Sequence, residues 1–219
     1  MIDVVFVGGG GHASVVLDAA LSDSSIRIVG YVALADGALS AAGLERLGDD
    51  DCGPDLIARG ITHAVLAVAG ARDNVRRAAL FDRWRGFGFR IISVVHTTAV
   101  VSPRSRRGEG LQALPRAVIN AGATLGANVI VNTGAIVEHD CVLADHVHIA
   151  PGATVCGGVE VGAATLVGAG ATIVPGVVIG ADVVIGAGSV VLHDIPAGAR
   201  VAGVPARPLP RRVTDGMRV

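Results

Sequence analysis

The sequence predicts two units in one chain: an α/β unit with a small parallel sheet, then an all-β unit wound as a parallel β-helix. Three observations carry this reading. From Ile119 to Val191 every sixth residue is a branched aliphatic, running Ile119, Leu125, Val131, Val137 and onward without exception to Ile185 and Val191. The residues between them are mostly Gly, Ala, Asn, Asp, Ser and Thr, which suit tight corners. Ahead of this repeat, short apolar runs alternate with helix-like segments, the pattern of a parallel sheet covered by helices.

A helix repeats near 3.6 residues and a strand near 2, so a period of six is neither alone. Six residues read as one short strand plus one corner, with the aliphatic side chain pointing inward. Three sides close a coil of eighteen residues, and successive coils stack into a prism. The scarcity of aromatics, 3% of the chain, suits an interior that takes only slim side chains.

Composition narrows the function classes. A net charge of −1 provides no basic field for nucleic acid. All eighteen basic residues are Arg, which excludes a lysine Schiff base. No apolar run approaches the ~20 residues of a membrane helix, so no membrane partner is expected. The chain enters its first strand without a basic leader region, so no signal peptide is read. Cys52, Cys141 and Cys156 are odd in number and not closely paired, which predicts reduced thiols and a cytoplasmic location.

In chain order, Ile2–Val7 reads as a buried strand, Ala13–Leu21 as a helix and Ile26–Val32 as a second strand. Ala41–Leu47 and Asp55–Arg59 read as helices, Ala64–Val68 as a third strand, Asn74–Arg85 as a helix and Arg90–Val95 as a fourth strand. The sheet so formed is Rossmann-like. Gly8, Gly10 and Ala13 fit G-x-G-x-x-A at the first strand-to-helix turn, where glycines allow close backbone approach and a helix N-terminus offers N–H groups to an anion. A dinucleotide would need an acid closing the second strand. The first acid there is the late Asp36, so another nucleotide or phosphate is favoured. Residues 1–96 are thus read as a nucleotide-binding unit, 97–198 as the β-helix and 199–219 as a tail capping its open end.

A bare β-helix needs only aliphatic and small residues, so polar interruptions point to chemistry. The densest cluster spans Asn132-Thr133-Gly134, Glu138-His139-Asp140 and Asp145-His146-Val147-His148. With eighteen residues per coil, His139 stacks under Gly157. An imidazole beside a glycine N–H makes a general base next to an oxyanion donor, and Asp140 orients the ring or raises its basicity. Zinc is the rival reading, but His139, His146 and His148 are seven and two residues apart, a poor set of convergent ligands, and no metal is expected. His146 reads as lining a solvated corner, and His63, His96 and His193 as surface or junction residues. His12 lies in the glycine loop within reach of a ligand, and Cys141 reads as a small core residue.

These motifs carry a resemblance. Gly8-Gly9-Gly10-Gly11-His12-Ala13, Asn132-Thr133-Gly134 leading to Glu138-His139-Asp140-Cys141, Gly168-Ala169-Gly170, Ile173-Val174-Pro175-Gly176 and Gly203-Val204-Pro205-Ala206 together resemble the bacterial nucleotide-sugar N-acetyltransferases of the hexapeptide-repeat superfamily. UDP-4-amino-sugar and GDP-perosamine N-acetyltransferases and the sialic acid O-acetyltransferases are its nearest patterns. The resemblance implies a left-handed parallel β-helix. It also implies acetyl transfer from acetyl-CoA, a co-substrate and not a bound cofactor, to the amine of a nucleotide-linked sugar. By resemblance, His139 is the base, Asp140 increases its basicity, and Gly157 offers its N–H to the thioester oxygen. Asn132 lies near the sugar amine, and His148, Ala169 and Ala187 line the acetyl-CoA channel. Gly10, Gly11, His12 and Gly70 hold the nucleotide. The family usually carries two adjacent acids after the second strand, where this chain has Val32-Ala33; UDP, GDP and CMP all stay open.

A flat-sided prism offers a pantetheine groove only where two prisms meet, so a homotrimer is expected. The alternative acceptor is a sialic acid-type hydroxyl. Outside this class stand a nucleotide-sugar-binding scaffold without catalysis and a metal hydratase.

Overall fold

The computed structural model describes residues 1–70 and 73–209. Its N-terminal unit runs β1 (Ile2–Val7), α1 (Gly11–Ala20), β2 (Ile26–Val32), α2 (Ala38–Ala41), β3 (Arg46–Gly48), α3 (Gly53–Ala58), β4 (His63–Leu66), α4 (Val75–Gly86) and β5 (Arg90–Ile91). The strands are parallel in the order β3-β2-β1-β4-β5. β1 is central and buried on both faces, which is why Val4-Val5-Phe6-Val7 is an unbroken apolar run rather than an alternating one.

Two local expectations are corrected. Ala41–Leu47 is not a helix. The helical turn stops at Ala41, Gly43 takes φ +83°, and the chain returns as edge strand β3, where Glu45 O accepts from Tyr31 N. The segment Arg90–Val95 is two strands rather than one. Arg90–Ile91 closes the α/β sheet, while Val94–Val95 pairs with Gln112–Ala113 in the prism.

From there the chain winds as a left-handed parallel β-helix. Its first face carries Val94–Val95, Gln112–Ala113, Ile130–Val131, His148–Ile149, Leu166–Val167 and Val184–Ile185. The second face carries Val100–Val101 through Val190–Val191, and the third Arg106–Arg107 through Val178–Ile179. Every pairing within these coils joins residue n to n+18, as in Ile136↔Thr154 and Ile130↔His148. The hexad aliphatics point inward, and so does the residue two places before each. Ala117, Ala123, Val129, Ala135, Cys141 and Val147 form that second inward column, all completely buried. Cys141 is therefore a core residue, and burial pushes its thiol pKa up.

From Gly110 to Gly188 each corner contains a left-handed residue, again every sixth. Most are glycine, but Arg116, Asn128, Asp140, His146, Ala164 and Asp182 also adopt φ of 55–62°. From Asn128 on, the N–H of these residues reaches down one coil: Asp140 N to Ala121 O, His146 N to Ala127 O, Gly158 N to His139 O. At the far end Arg200–Ala202 pairs parallel with Val184–Ile185, and Arg207–Pro208 folds back antiparallel on it. Residues 210–219 of the expected tail lie outside the described residues. Among the described residues no helix is long and apolar enough to cross a membrane.

The N-terminal unit rests on the first face and on the corner leading into it. Arg77 of α4 is 1% exposed and donates to the stacked carbonyls of Asn128 and His146, while Asn74 Nδ2 donates to Ala164 O and Thr165 O, each at 3.2 Å. These are corner carbonyls that the covering helix shuts off from water, and an orphaned buried carbonyl costs about 1–3 kcal/mol. His146 is accordingly not a solvated corner residue. Its ring packs edge-on against Phe81 with centroids 5.5 Å apart, and its Nδ1 lies 2.9 Å from Asn128 Nδ2.

The inward column predicts a sharp contrast within one coil. Ile149→Ala should lower the unfolding free energy by about 2–5 kcal/mol through cavity formation. The half-exposed Val142→Ala should stay within about 0.5 kcal/mol. Denaturant titration of both variants checks it.

Candidate active site

Two constellations stand out, one in the α/β unit and one on the prism. The first is a cleft of about 410 Å³ at the C-terminal ends of β1, β2 and β4, lined by Gly8–His12, Ala33–Gly37, Ala67–Ala69, Asp50 and Arg76. Open α/β sheets bind ligands at this position, where strand order reverses. Gly8 takes φ +116°, and a Cβ on Gly37 would lie 2.5 Å from Gly9 O, so this floor is built backbone on backbone. A Cβ on Gly10 or Gly11 would meet nothing within 4 Å; these two face open space at the start of α1. Asp36 lines the same cleft and accepts from Arg46 Nε at 3.1 Å. Asp50 stands 3.5 Å from Arg76.

His12, in the first turn of α1, reaches the prism. Its Nε2 lies 2.8 Å from Gln112 Oε1, and Gln112 Nε2 donates to Leu66 O at the end of β4. The His12 ring stands 6.5 Å from that of His148, whose Nε2 is 3.2 Å from Asn132 Nδ2. Gln112, His148 and Asn132 are 1%, 4% and 9% exposed. Burial lowers the His148 pKa to about 3, helped by the Arg77 guanidinium and then by His12, with the Gly70 backbone pulling the other way. His12 is lowered too, by burial first and by Arg77. Both imidazoles are therefore neutral at pH 7. Residues assigned from the sequence to the nucleotide (His12, Gly70), to the sugar amine (Asn132) and to acetyl-CoA (His148) thus meet at one joint. Ala169 and Ala187 stack beyond it, on the corner between the first and second faces, where Gly188 N donates to Ala169 O and Gly170 N to Pro151 O.

The second constellation sits on a different corner, between the second and third faces. His139 stacks under Gly157 as the eighteen-residue coil requires, and Gly158 N donates to His139 O. A Cβ on Gly157 would come within 2.6 Å of His139 Nε2 and Cε1. His139 Nδ1 lies 2.9 Å from Asp140 Oδ2. Because Asp140 is the left-handed corner residue, φ +58°, its side chain turns back onto its neighbour's ring. Glu138 Oε2 accepts from His139 N at 3.2 Å. Among the described residues the Gly157 N–H makes no hydrogen bond. The His139 side chain is 66% exposed, and no contact of the N-terminal unit described above reaches this corner. Sequence reasoning missed Gln112, Asn74 and Arg77. Gln112 did leave a signal, as an amide in an outward column whose other members, His148 apart, are Val94, Ile130, Leu166 and Val184; Asn74 and Arg77 left none.

Comparison with known proteins follows this geometry. Residues 122–157 and 158–193 match the model of the bacterial transferase hexapeptide (six repeats). The perosamine N-acetyltransferase PerB of Caulobacter crescentus, solved with CoA and GDP-perosamine, is 38% identical; the match covers 95% of this chain and 97% of that one, with a TM-score of 0.86. The acetyltransferase domain of PglB from Neisseria gonorrhoeae FA1090 is 32% identical over 95% and 100% of the two chains, with a TM-score of 0.88. The chain belongs to the bacterial hexapeptide-repeat nucleotide-sugar N-acetyltransferases. This N-acetyltransferase is acetyl-CoA-dependent. WeeI from Acinetobacter baumannii AYE, at 23% identity and a TM-score of 0.71, shares its fold over 95% of this chain and all of that one.

Two outcomes follow for this acetyltransferase. Gly157 has an ordinary φ, so Gly157→Ala strains no backbone, but the His139 ring must move. Gly157→Ala should therefore shift the His139 imidazole resonances with the melting temperature nearly unchanged, which NMR and thermal unfolding check. His148 gives a pH signature. Its folded pKa of about 3 lies below the ordinary imidazole value of 6.5, so the unfolded chain takes up the proton first. Its stabilising contribution is present above pH 6.5 and is lost as pH falls toward 3, at up to ~1.4 kcal/mol per pH unit. His148→Gln should flatten the decline in unfolding free energy between pH 6.5 and 4.5.

Proposed function

We propose that the protein transfers the acetyl group of acetyl-CoA to the amine of a nucleotide-linked amino sugar, with His139 as general base. The observation that carries the proposal is the His139 ring lying against Gly157 with the Asp140 carboxylate on its Nδ1. The amine nitrogen attacks the thioester carbonyl and His139 Nε2 takes its proton. Asp140 orients the ring and offsets the imidazolium charge. The free Gly157 N–H stabilises the oxyanion of the tetrahedral intermediate. Collapse breaks the C–S bond, and the departing thiolate recovers a proton from the imidazolium. No acyl-enzyme is needed, consistent with Cys141 facing the core.

In this reading residues 1–96 hold the nucleotide sugar in the cleft, with the diphosphate at the N–H groups of Gly10, Gly11 and the start of α1. The sugar runs past His12 and Gly70 toward Asn132. Residues 97–198 supply the acetyl-transfer machinery, with pantetheine along the corner of Ala169 and Ala187 beside His148, and residues 199–219 close the prism's end. The solved relatives carry CoA with GDP-perosamine, or acetyl coenzyme A, which supports both substrate classes. The three free thiols favour a cytoplasmic location. Because His139 sits on a corner that its own cleft does not approach, one subunit's cleft serves its neighbour's base in a homotrimer.

Mixing subunits tests base and assembly together. His139→Ala should lose about 10²–10⁴-fold in acetyl transfer, and Gly10→Leu should block the cleft. Refolded mixtures of the two inactive variants should regain activity, since a mixed trimer pairs an intact cleft with an intact base. An active His139→Ala homotrimer would sink the base assignment. Inactive mixtures would sink the shared site and leave the chemistry standing.

A further inference from the structure

The outward column of the first face is apolar where it meets the α/β unit, apart from two residues, Gln112 and His148. His148 has a place in the proposed site. Gln112 has none, yet it is 1% exposed and both ends of its amide are engaged across the joint. Burying a primary amide there is costly unless both ends are satisfied. A hydrophobic residue would satisfy the packing alone.

The two contacts fix each other. Leu66 O can only accept, so the Gln112 group facing it is the NH₂ and the group facing His12 is the carbonyl oxygen. A carbonyl oxygen can only accept, so His12 carries its proton on Nε2. Nδ1 is then the lone-pair nitrogen, and among the described residues it makes no hydrogen bond. We propose that Gln112 is a positioning residue for acceptor recognition, holding His12 as the neutral Nε2–H tautomer so that its Nδ1 accepts from a hydroxyl of the bound sugar. This rests on the reading of the cleft as the nucleotide-sugar site. Under it, the diphosphate is left to backbone N–H groups, because a neutral imidazole with its Nε2 proton committed gives a phosphate nothing.

The surroundings agree. Among the described residues the charged or titratable groups facing His12 are Arg77 from α4 and His148 from the prism; Gln112 is uncharged, and none of the described carboxylates bonds to the ring. Arg77 and burial both oppose an imidazolium at this position, and only the Gln112 bond favours one. Leu66 ends the strand whose next residues, Ala67–Ala69, line the cleft. The same amide therefore ties the cleft wall, His12 and the prism into one rigid triangle.

The tautomer can be read without substrate. Imidazole ¹⁵N shifts of the unliganded full-length protein at pH 8 should give His12 as neutral Nε2–H. Gln112→Leu should abolish that preference, and Gln112→Glu, which sets a carboxylate against Nε2, should raise the pH at which His12 takes up its second proton. With GDP-perosamine or a UDP-linked 4-amino sugar as acceptor, Gln112→Leu should raise KM for the acceptor about tenfold and leave KM for acetyl-CoA within twofold. Gln112→Met, closer in length, guards against misfolding and should behave like Gln112→Leu. An Nδ1–H tautomer in the wild type would overturn the proposal. So would KM values for both substrates rising together, or an acceptor KM unmoved in both apolar variants. If neither acceptor turns over with wild-type protein, the functional reading fails while the tautomer result still decides the role of Gln112.

Discussion

The eighteen-residue lap of the prism is the constraint on which the rest depends. Parallel pairing of n with n+18 is enforced by backbone hydrogen bonds on three faces and by corner N–H groups reaching one coil down. Coils lie about 4.8 Å apart, so a side chain at a corner meets the backbone of the corner above at contact distance. His139 and Gly157 are neighbours for this reason alone. A glycine is required above the imidazole because any Cβ there would sit inside the ring's contact radius. Slipping the register by one residue would turn the whole aliphatic column outward, so the core that stabilises the prism also fixes the spacing of the site.

The joint between the two units obeys a different rule. A β-helix corner exposes carbonyls that normally meet water, and a helix laid over them must supply donors. Arg77 and Asn74 do so for Asn128, His146, Ala164 and Thr165. Among the described residues the guanidinium has no carboxylate partner, and its pKa falls to about 9 under desolvation. A buried cation held by carbonyl dipoles projects positive potential onto its neighbours. Burial is the main cause of the lowered pKa of His12, His146 and His148, and Arg77 adds to it in each, so the residue that satisfies the joint also works against an imidazolium around it.

The parts of this molecule governed by a period were legible in the sequence. The hexad marks the prism, and adding eighteen to His139 gives Gly157 from the sequence alone. The strands Ile2–Val7 and Ile26–Val32 were equally readable, because a buried parallel strand is a continuous apolar run. Ala41–Leu47 was misread because Leu44 and Leu47 are spaced three apart, as on a helix face. The left-handed Gly43 ends the helix, and pairing with β2 takes over. His146 was misread as solvated because nothing periodic says which corner a second unit will cover. Arg77 is invisible for the same reason: it satisfies partners about fifty to seventy residues away in sequence, and such pairings follow from docking, not from pattern, while Gln112 shows only as a polar break in an apolar column and its partners His12 and Leu66 do not show at all.

The histidines then occupy two kinds of place. A general base must become an imidazolium and return, so it needs solvent or a carboxylate beside it. His139, the proposed base, stands on an exposed corner with Asp140 on Nδ1. His12 and His148 are buried near a cation and keep neutral rings, so they can hold a ligand by hydrogen bonding but cannot cycle a proton cheaply at neutral pH. Placing the proposed base on an outer corner leaves it without walls of its own. The buried polar contacts of the N-terminal unit lie on another corner. Under the proposed mechanism, shielding His139 from water falls to the flank of a second prism.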